Sequence, residues 1–164
     1  MKLADSSCIV CVFKDINRPF ILMDWIKRGY QIVITEQVHK ELQDNDKTYK
    51  ILSPEIKKGS IKINKLITAQ DIILFRTRYP VLGIGESSII LTALKLQKES
   101  KRYYAILDDK NARKVASQLG LNLTGTYGLL KTLKEKGHIT ESMFIQCKQD
   151  MEKSQFRINF DKIK

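Results

Sequence analysis

The residues best suited to chemistry in this sequence are acids, and they fall where acids are out of place in a basic chain. Asp5 closes the first β-rich run, Asp108 and Asp109 close the fourth, Glu41 borders the apolar stripe of a predicted helix, and Glu86 opens the most apolar helix. An unpaired carboxylate in apolar surroundings is costly unless a partner or a cation compensates it, and grouped carboxylates raise one another's pKa. Brought together, these acids would form an all-oxygen site for a hard divalent ion, Mg²⁺ or Mn²⁺. The chain has 164 residues, with 29 Lys and Arg against 18 Asp and Glu, a formal charge of +11. Such an excess draws in a phosphodiester backbone that the acids alone would repel. The combination points to metal-assisted phosphodiester hydrolysis. Each acid also has an ordinary role open to it. Glu86 can complement a helix dipole, Glu41 can be solvated at its stripe's edge, and Asp108 with Asp109 can form a turn and an N-cap for the helix at Lys110.

Other chemistries find little support. Cys8 and Cys11 enclose only apolar residues, and with Cys147, His39 and His138 dispersed they read as buried small hydrophobes rather than as a redox or zinc pair. Gly83-Ile-Gly85 lacks the third glycine and the preceding strand of a nucleotide loop, so it reads as a turn before a helix. No Walker motif occurs, and two histidines give no Ser-His-Asp arrangement. The single Trp, Trp25, lies among Ile21, Leu22 and Ile26 and reads as core or dimer-interface packing.

The elements that must position the acids alternate between strands and helices, the pattern of a parallel α/β sheet. Strands are expected at Lys2 to Asp5, Gln31 to Ile34, Ile61 to Ile63, Tyr103 to Leu107 and Asn122 to Thr124. Ser6 and Ser7 offer caps for a helical turn through Cys8 to Phe13, and a further helix opens at Pro19 and closes at Gly29. Thr35 caps a helix carrying Val38 and Leu42, Lys47 to Lys58 is helical, and Thr68 starts a helix that ends before Pro80. After a Val81 to Gly85 loop, Glu86 to Glu99 presents Ile89, Ile90, Ala93 and Leu94 together. Helices also follow Asp109, Gly125 and Thr140. Ligands of open α/β sheets bind beyond the carboxyl ends of the strands, so Asp5 meets Asp108 and Asp109 only if the first and fourth strands are neighbours.

Hydrophobic residues make up 43% of the chain, which suits one compact domain over residues 1–164, with residues from about 152 to 164 a C-terminal tail or edge strand. The apolar run Cys8 to Phe13 is far short of the roughly 18 residues of a membrane span. It makes a poor signal peptide because Asp5 precedes it. The expectation is a cytoplasmic protein with no membrane partner, and the odd cysteine count argues against a disulfide framework.

Several stretches resemble the PIN-domain ribonucleases, in particular the VapC-like toxin nucleases. They are Leu3-Ala-Asp5-Ser-Ser7, Val38-His-Lys-Glu41-Leu42, Leu82-Gly-Ile-Gly-Glu86-Ser-Ser, Ile106-Leu-Asp108-Asp109-Lys-Asn-Ala-Arg113, and Gly120 through Thr126 to Ile139. The resemblance spans most of the chain up to about residue 140, and the order and spacing of the motifs agree. It implies an α/β, Rossmann-like PIN fold, a mostly parallel sheet of order 3-2-1-4-5 flanked by helices. It also implies that Asp5, Glu41, Glu86, Asp108 and Asp109 surround one or two Mg²⁺ or Mn²⁺ ions, with Asp5, Glu86 and Asp108 as ligands. Glu86 stands where the family often has Asp. Glu41 or one of the Asp108–Asp109 pair would orient the attacking water or take its proton. Ser7 and Thr126 would hydrogen-bond the acids, and Lys110 and Arg113 would contact phosphate. RNA as substrate, an antitoxin protein partner and a homodimer follow from the same likeness. The rival readings are a non-catalytic nucleic-acid-binding module and a protein-interaction module on this fold.

Overall fold

The computed structural model describes residues 1–154. Its strands are short and apolar because both faces of the sheet are covered. Strand β2 (Ile32–Thr35) is β-branched at every position and buried throughout, as a doubly covered parallel strand requires. With β1 (Lys2–Ala4), β3 (Ile61–Asn64), β4 (Tyr104–Ile106) and β5 (Leu123–Thr124) it forms one five-stranded sheet in the order β3-β2-β1-β4-β5. Every pairing is parallel. The expected order therefore holds. Strands β1 and β4 are direct neighbours, with Lys2 opposite Tyr104, Leu3 opposite Ala105 and Ala4 opposite Ile106.

The helices between strands are α1 (Ser6–Val10), α2 (Phe20–Lys27), α3 (Glu36–Gln43), α4 (Asp46–Lys57), α5 (Ala69–Arg78), α6 (Ile84–Lys98), α7 (Lys110–Gln118), α8 (Thr126–Glu135) and α9 (Glu141–Lys153). Helix α1 passes into a π-helical turn over Cys11–Asp15. Start signals explain most boundaries. Thr35, Asn45, Thr68, Asp109 and Thr140 each accept a backbone N–H of the first turn, and Thr68 forms a full capping box with Asp71. Gly29, at φ +80°, and Gly120, at φ +68°, follow α2 and α7 in the left-handed region that a side chain would disfavour.

Several boundaries differ from expectation, for local reasons. Ser6 and Ser7 do not cap α1. Asp5 holds the N-cap position without a capping side-chain bond, so β1 ends at Ala4, and both serine hydroxyls turn to carboxylates instead. Helix α6 begins at Ile84, inside the expected loop, so Glu86 sits in its first turn. Leu94 is half-buried, and Leu96 joins Ile89, Ile90 and Ala93 in the core. Glu152 and Lys153 continue α9, while the edge strand expected near residues 156–163 lies outside the described residues.

The core is continuous through both layers, and Trp25 is buried within it at 3% exposure. Cys8, Cys11 and Cys147 are free and buried. Among the described residues, no helix is long and apolar enough to cross a membrane. Ile90 is fully buried at the centre of α6, the helix that carries Glu86. Ile90→Ala should cost about 2–5 kcal/mol, read as a lower urea midpoint at unchanged slope.

Candidate active site

Strand β1 delivers Asp5 to the C-terminal edge of the sheet, beside β4, and the Asp5 backbone N–H donates to the Ile106 carbonyl at 3.3 Å. Its side chain is 3% exposed. Ser7 Oγ donates to Asp5 Oδ2 at 2.7 Å. Oδ1 is buried and has no hydrogen-bond partner among the described residues. Burial pushes the Asp5 carboxyl up to about 7; the Ser7 bond opposes this, and the charges of Glu86 and Glu41 reinforce it.

Glu41 reaches the same edge from α3. Thr35 Oγ1 accepts the Val38 N–H at 3.2 Å and lies 2.6 Å from Ser88 Oγ, and Ser88 Oγ donates to the Gly85 carbonyl at 2.7 Å. Ser88 has one hydroxyl proton, already given to Gly85, so Thr35 is the donor between the two hydroxyls. This directed chain ties the start of α3 to the first turn of α6. Ser6 Oγ then donates to Glu41 Oε2 at 2.6 Å. A Cβ on Gly85 would lie 2.5 and 2.6 Å from the two Glu41 oxygens, so a side chain there would push that carboxylate from its place over α6.

Glu86 occupies the third position of α6 and folds back on backbone N–H groups, its own and that of Gly83. A Cβ on Gly83 would overlap Glu86 Oε2. Burial raises the Glu86 carboxyl above its usual range. Its backbone hydrogen bonds counter this, and Asp109 and Glu41 push in the same direction as burial. Asp5, Glu41, Glu86 and Asp109 are thus linked by mutual repulsion at one edge of the sheet.

Asp108 and Asp109 part company. Asp109 is the N-cap of α7, its Oδ1 accepting the N–H groups of Asn111 and Ala112 at 2.8 Å each, and it is the aspartate whose charge acts on Glu86. Asp108 turns to α8 instead. Its Oδ1 accepts the Thr126 N–H at 2.7 Å and its Oδ2 the Thr126 hydroxyl at 2.5 Å. Arg113 donates to the Leu107 carbonyl at 2.8 Å and draws the Asp108 carboxyl down, against a larger upward push from burial. Gly125 has no side chain to cap α8, and a Cβ there would lie 2.8 Å from Asp108 Oδ1. Asp108, Thr126 and Arg113 therefore form a knot joining β4, α7 and α8, with Arg113 half-buried and engaged, while Lys110 is exposed on the first turn of α7.

Sequence reasoning expected Asp5, Glu41 and Glu86 together but missed Ser6, the Thr35–Ser88 link and the close approach of Glu86 to Gly83 and of Glu41 to Gly85. The repeated glycine ahead of Glu86 was the available signal. Among the described residues, no three Asp, Glu, His or Cys side chains form a group able to hold a metal by themselves. Mg²⁺, however, is commonly held by one or two carboxylates and several waters. The all-oxygen donors and the orphaned Asp5 Oδ1 fit a cation of that kind.

A family model described as a PIN domain matches residues 1–164. No curated protein and no solved structure matches the chain. The Thr35 hydroxyl both caps α3 and bonds Ser88, and its removal should be felt through both. Thr35→Val should cost about 1–3 kcal/mol by stranding the Val38 N–H and unpairing Ser88, and Thr35→Ser should recover most of it, both measured by urea denaturation.

Proposed function

This chain belongs to the PIN-domain family, whose members are generally nucleases, and on that premise we propose that it is a metal-dependent endoribonuclease. The observation that carries the reading is Asp5, a buried carboxylate at the end of the central strand with one unpartnered oxygen and two glutamates pressing on its charge. Residues 1–164 form a single domain in this reading.

Asp5 and Glu86 would hold Mg²⁺ or Mn²⁺. Asp108 would be the third ligand, each of its oxygens accepting one bond from Thr126 and keeping a further lone pair, with Asp109 beside it. Such an ion supplies Lewis-acid activation of water and charge neutralisation at the phosphate. The chain's own residues do the rest. Ser7 fixes Asp5 Oδ2 and so aims Oδ1 into the site. Ser6 holds Glu41 by one oxygen, leaving the other to orient a water and take its proton as that water attacks phosphorus and the P–O bond to the departing ribose oxygen breaks. Gly83 and Gly85 keep side chains out of the space the two glutamates occupy. Lys110, exposed beside Asp109, is positioned for the RNA backbone.

The finer assignment is a VapC-like toxin, acting as a homodimer and silenced by an antitoxin that sets an arginine against the acids. The resemblance of the motifs supports it, and the uncompensated carboxylates suit an arginine as they suit a cation. The rival reading, a binding module without turnover, predicts RNA retention without cleavage.

Cleavage of a mixed panel of structured and single-stranded RNAs should require Mg²⁺ or Mn²⁺, stop with EDTA, and fall more than about 100-fold in Asp5→Asn. RNA retained uncut by a folded wild type would overturn the nuclease assignment. Stability should carry the same signature. In the folded chain Asp5 keeps its proton between pH 3.8 and about 7, where the unfolded chain has released it. Without divalent ions, stability contributed by this group therefore falls as pH rises through that window. Thermal melts in EDTA should show a smaller decline for Asp5→Asn than for wild type. Identical slopes would mean that Asp5 ionises in the ordinary carboxylate range.

A further inference from the structure

At the other edge of the sheet, where the strands begin, cations and aromatic rings alternate. Lys2 Nζ lies 4.1 Å from the Tyr104 ring centre and 5.6 Å from that of Trp25. Trp25 stacks on Tyr30 at 5.3 Å. Lys136 Nζ donates to the Tyr30 hydroxyl at 3.1 Å and lies 5.4 Å from its ring. Strand register explains the meeting, since Lys2 and Tyr104 are cross-strand partners and Tyr30 sits just ahead of β2.

No ion pair with a carboxylate serves either lysine among the described residues. Nearby Arg28 is matched by Asp24 at 2.6 Å. Lys2 is half-buried, and burial and the Lys136 charge both push its pKa down. Two ammonium groups are thus held in place by rings, repel each other and, among the described residues, lack a counter-anion. Holding them beforehand lowers the ordering cost of binding one. Tyr104 is 50% exposed and leaves ring surface free for a base.

Resting on the nuclease reading, we propose that the Tyr104–Lys2–Trp25–Tyr30–Lys136 ladder is a second RNA contact, with Lys2 and Lys136 on backbone phosphates and Tyr104 under a base. Phosphate beside a stackable ring is the chemistry of single-stranded nucleic acid, whereas an acidic protein segment would use the lysines and leave Tyr104 idle. Roughly 10 Å of strand separates Lys2 from Asp5 through the body of the sheet. One RNA reaches both edges only by passing round the domain. The ladder therefore holds a part of the substrate remote from the scissile bond and selects long RNAs over short ones.

The test measures binding of a labelled single-stranded RNA of about 20 nucleotides across a salt series in EDTA, using the full chain with Asp5→Asn so that nothing is cut. Adding Lys2→Gln and Lys136→Gln together should weaken binding and flatten the salt slope by about 1.4, two single-strand phosphate contacts. Lys2→Arg with Lys136→Arg should keep the slope. Tyr104→Ala should weaken binding about fivefold or more at unchanged slope. An unchanged slope in the Gln pair, an equal loss in the Arg pair, or loss of polyglutamate binding with RNA binding intact would overturn the ladder. Cleavage by the unsubstituted chain is scored separately. RNA held by the ladder and never cut overturns the nuclease reading alone, and RNA cut with an unchanged slope overturns the ladder alone.

Discussion

Asp5 follows directly on β1 with its carboxyl group buried and, among the described residues, one oxygen without a hydrogen-bond partner, while two glutamates approach from α3 and α6. Burial and like charge both oppose ionisation of Asp5, so its carboxyl is pushed up from the ordinary range, and a nearby cation would favour release of its proton. The rest of the edge serves that constraint. Strand β1 lies between β2 and β4, the connections diverge on either side of it, and the crevice they leave is where a parallel sheet binds ligands. Short polar residues then fix each acid. Ser7 takes Asp5, Ser6 takes Glu41, and the Gly83 N–H takes Glu86. Each bond stabilises a carboxylate without filling the space between carboxylates. Small residues dominate the site for that reason.

The same edge shows how identical neighbours acquire different work. Asp108 and Asp109 follow β4 in succession, and successive side chains of an extended segment leave on opposite sides. Asp109 caps α7 and acts by its charge on Glu86, while Asp108 meets an α8 whose own N-cap is a glycine and supplies the cap from a distance. Arg113 closes the arrangement by holding the Leu107 carbonyl, so the end of β4 is bound to α7 and α8 together. Asp108 stabilises the strand end from which Asp109 projects.

The sheet order and the meeting of Asp5, Glu41 and Glu86 were legible through the resemblance of the motifs to a known family, because the residues alone left the adjacency of β1 and β4 open. What was not legible lies between residues far apart in sequence. Ser6 bonds a carboxylate 35 residues away, and Thr35 meets Ser88 across 53. Nothing in the local pattern of Ser6-Ser7 separates a cap from a carboxylate partner, since a hydroxyl suits both. The same holds for Asp108 and Asp109, where the deciding fact is the uncapped Thr126 N–H of another helix. Boundary errors were of a different kind. Asp5 carries extended dihedrals, φ −78° and ψ 159°, so it looks like strand from its neighbours yet serves as an N-cap. Trp25 read correctly as core, but its polar surroundings depend on register between β1 and β4, which a linear pattern does not contain.

Charge is distributed so that approach and reaction make opposite demands. The chain carries +11 overall, yet the sheet edge suited to phosphodiester chemistry gathers its carboxylates. At physiological salt a charge is felt over about 8 Å, so an incoming polyanion meets the basic exterior first and the acids only at close range. Capture and chemistry are thereby separated in space. In the proposed reading the exterior would hold RNA without any divalent ion, while the last few ångströms to Asp5 would stay closed to phosphate until a cation offset the acids. A site built this way cannot work as a passive anion pocket, because its nearest charges repel the ligand that the rest of the surface attracts. Its acids make physical sense as the seat of a cation, and the basic exterior makes sense as the means of bringing a long anion to it.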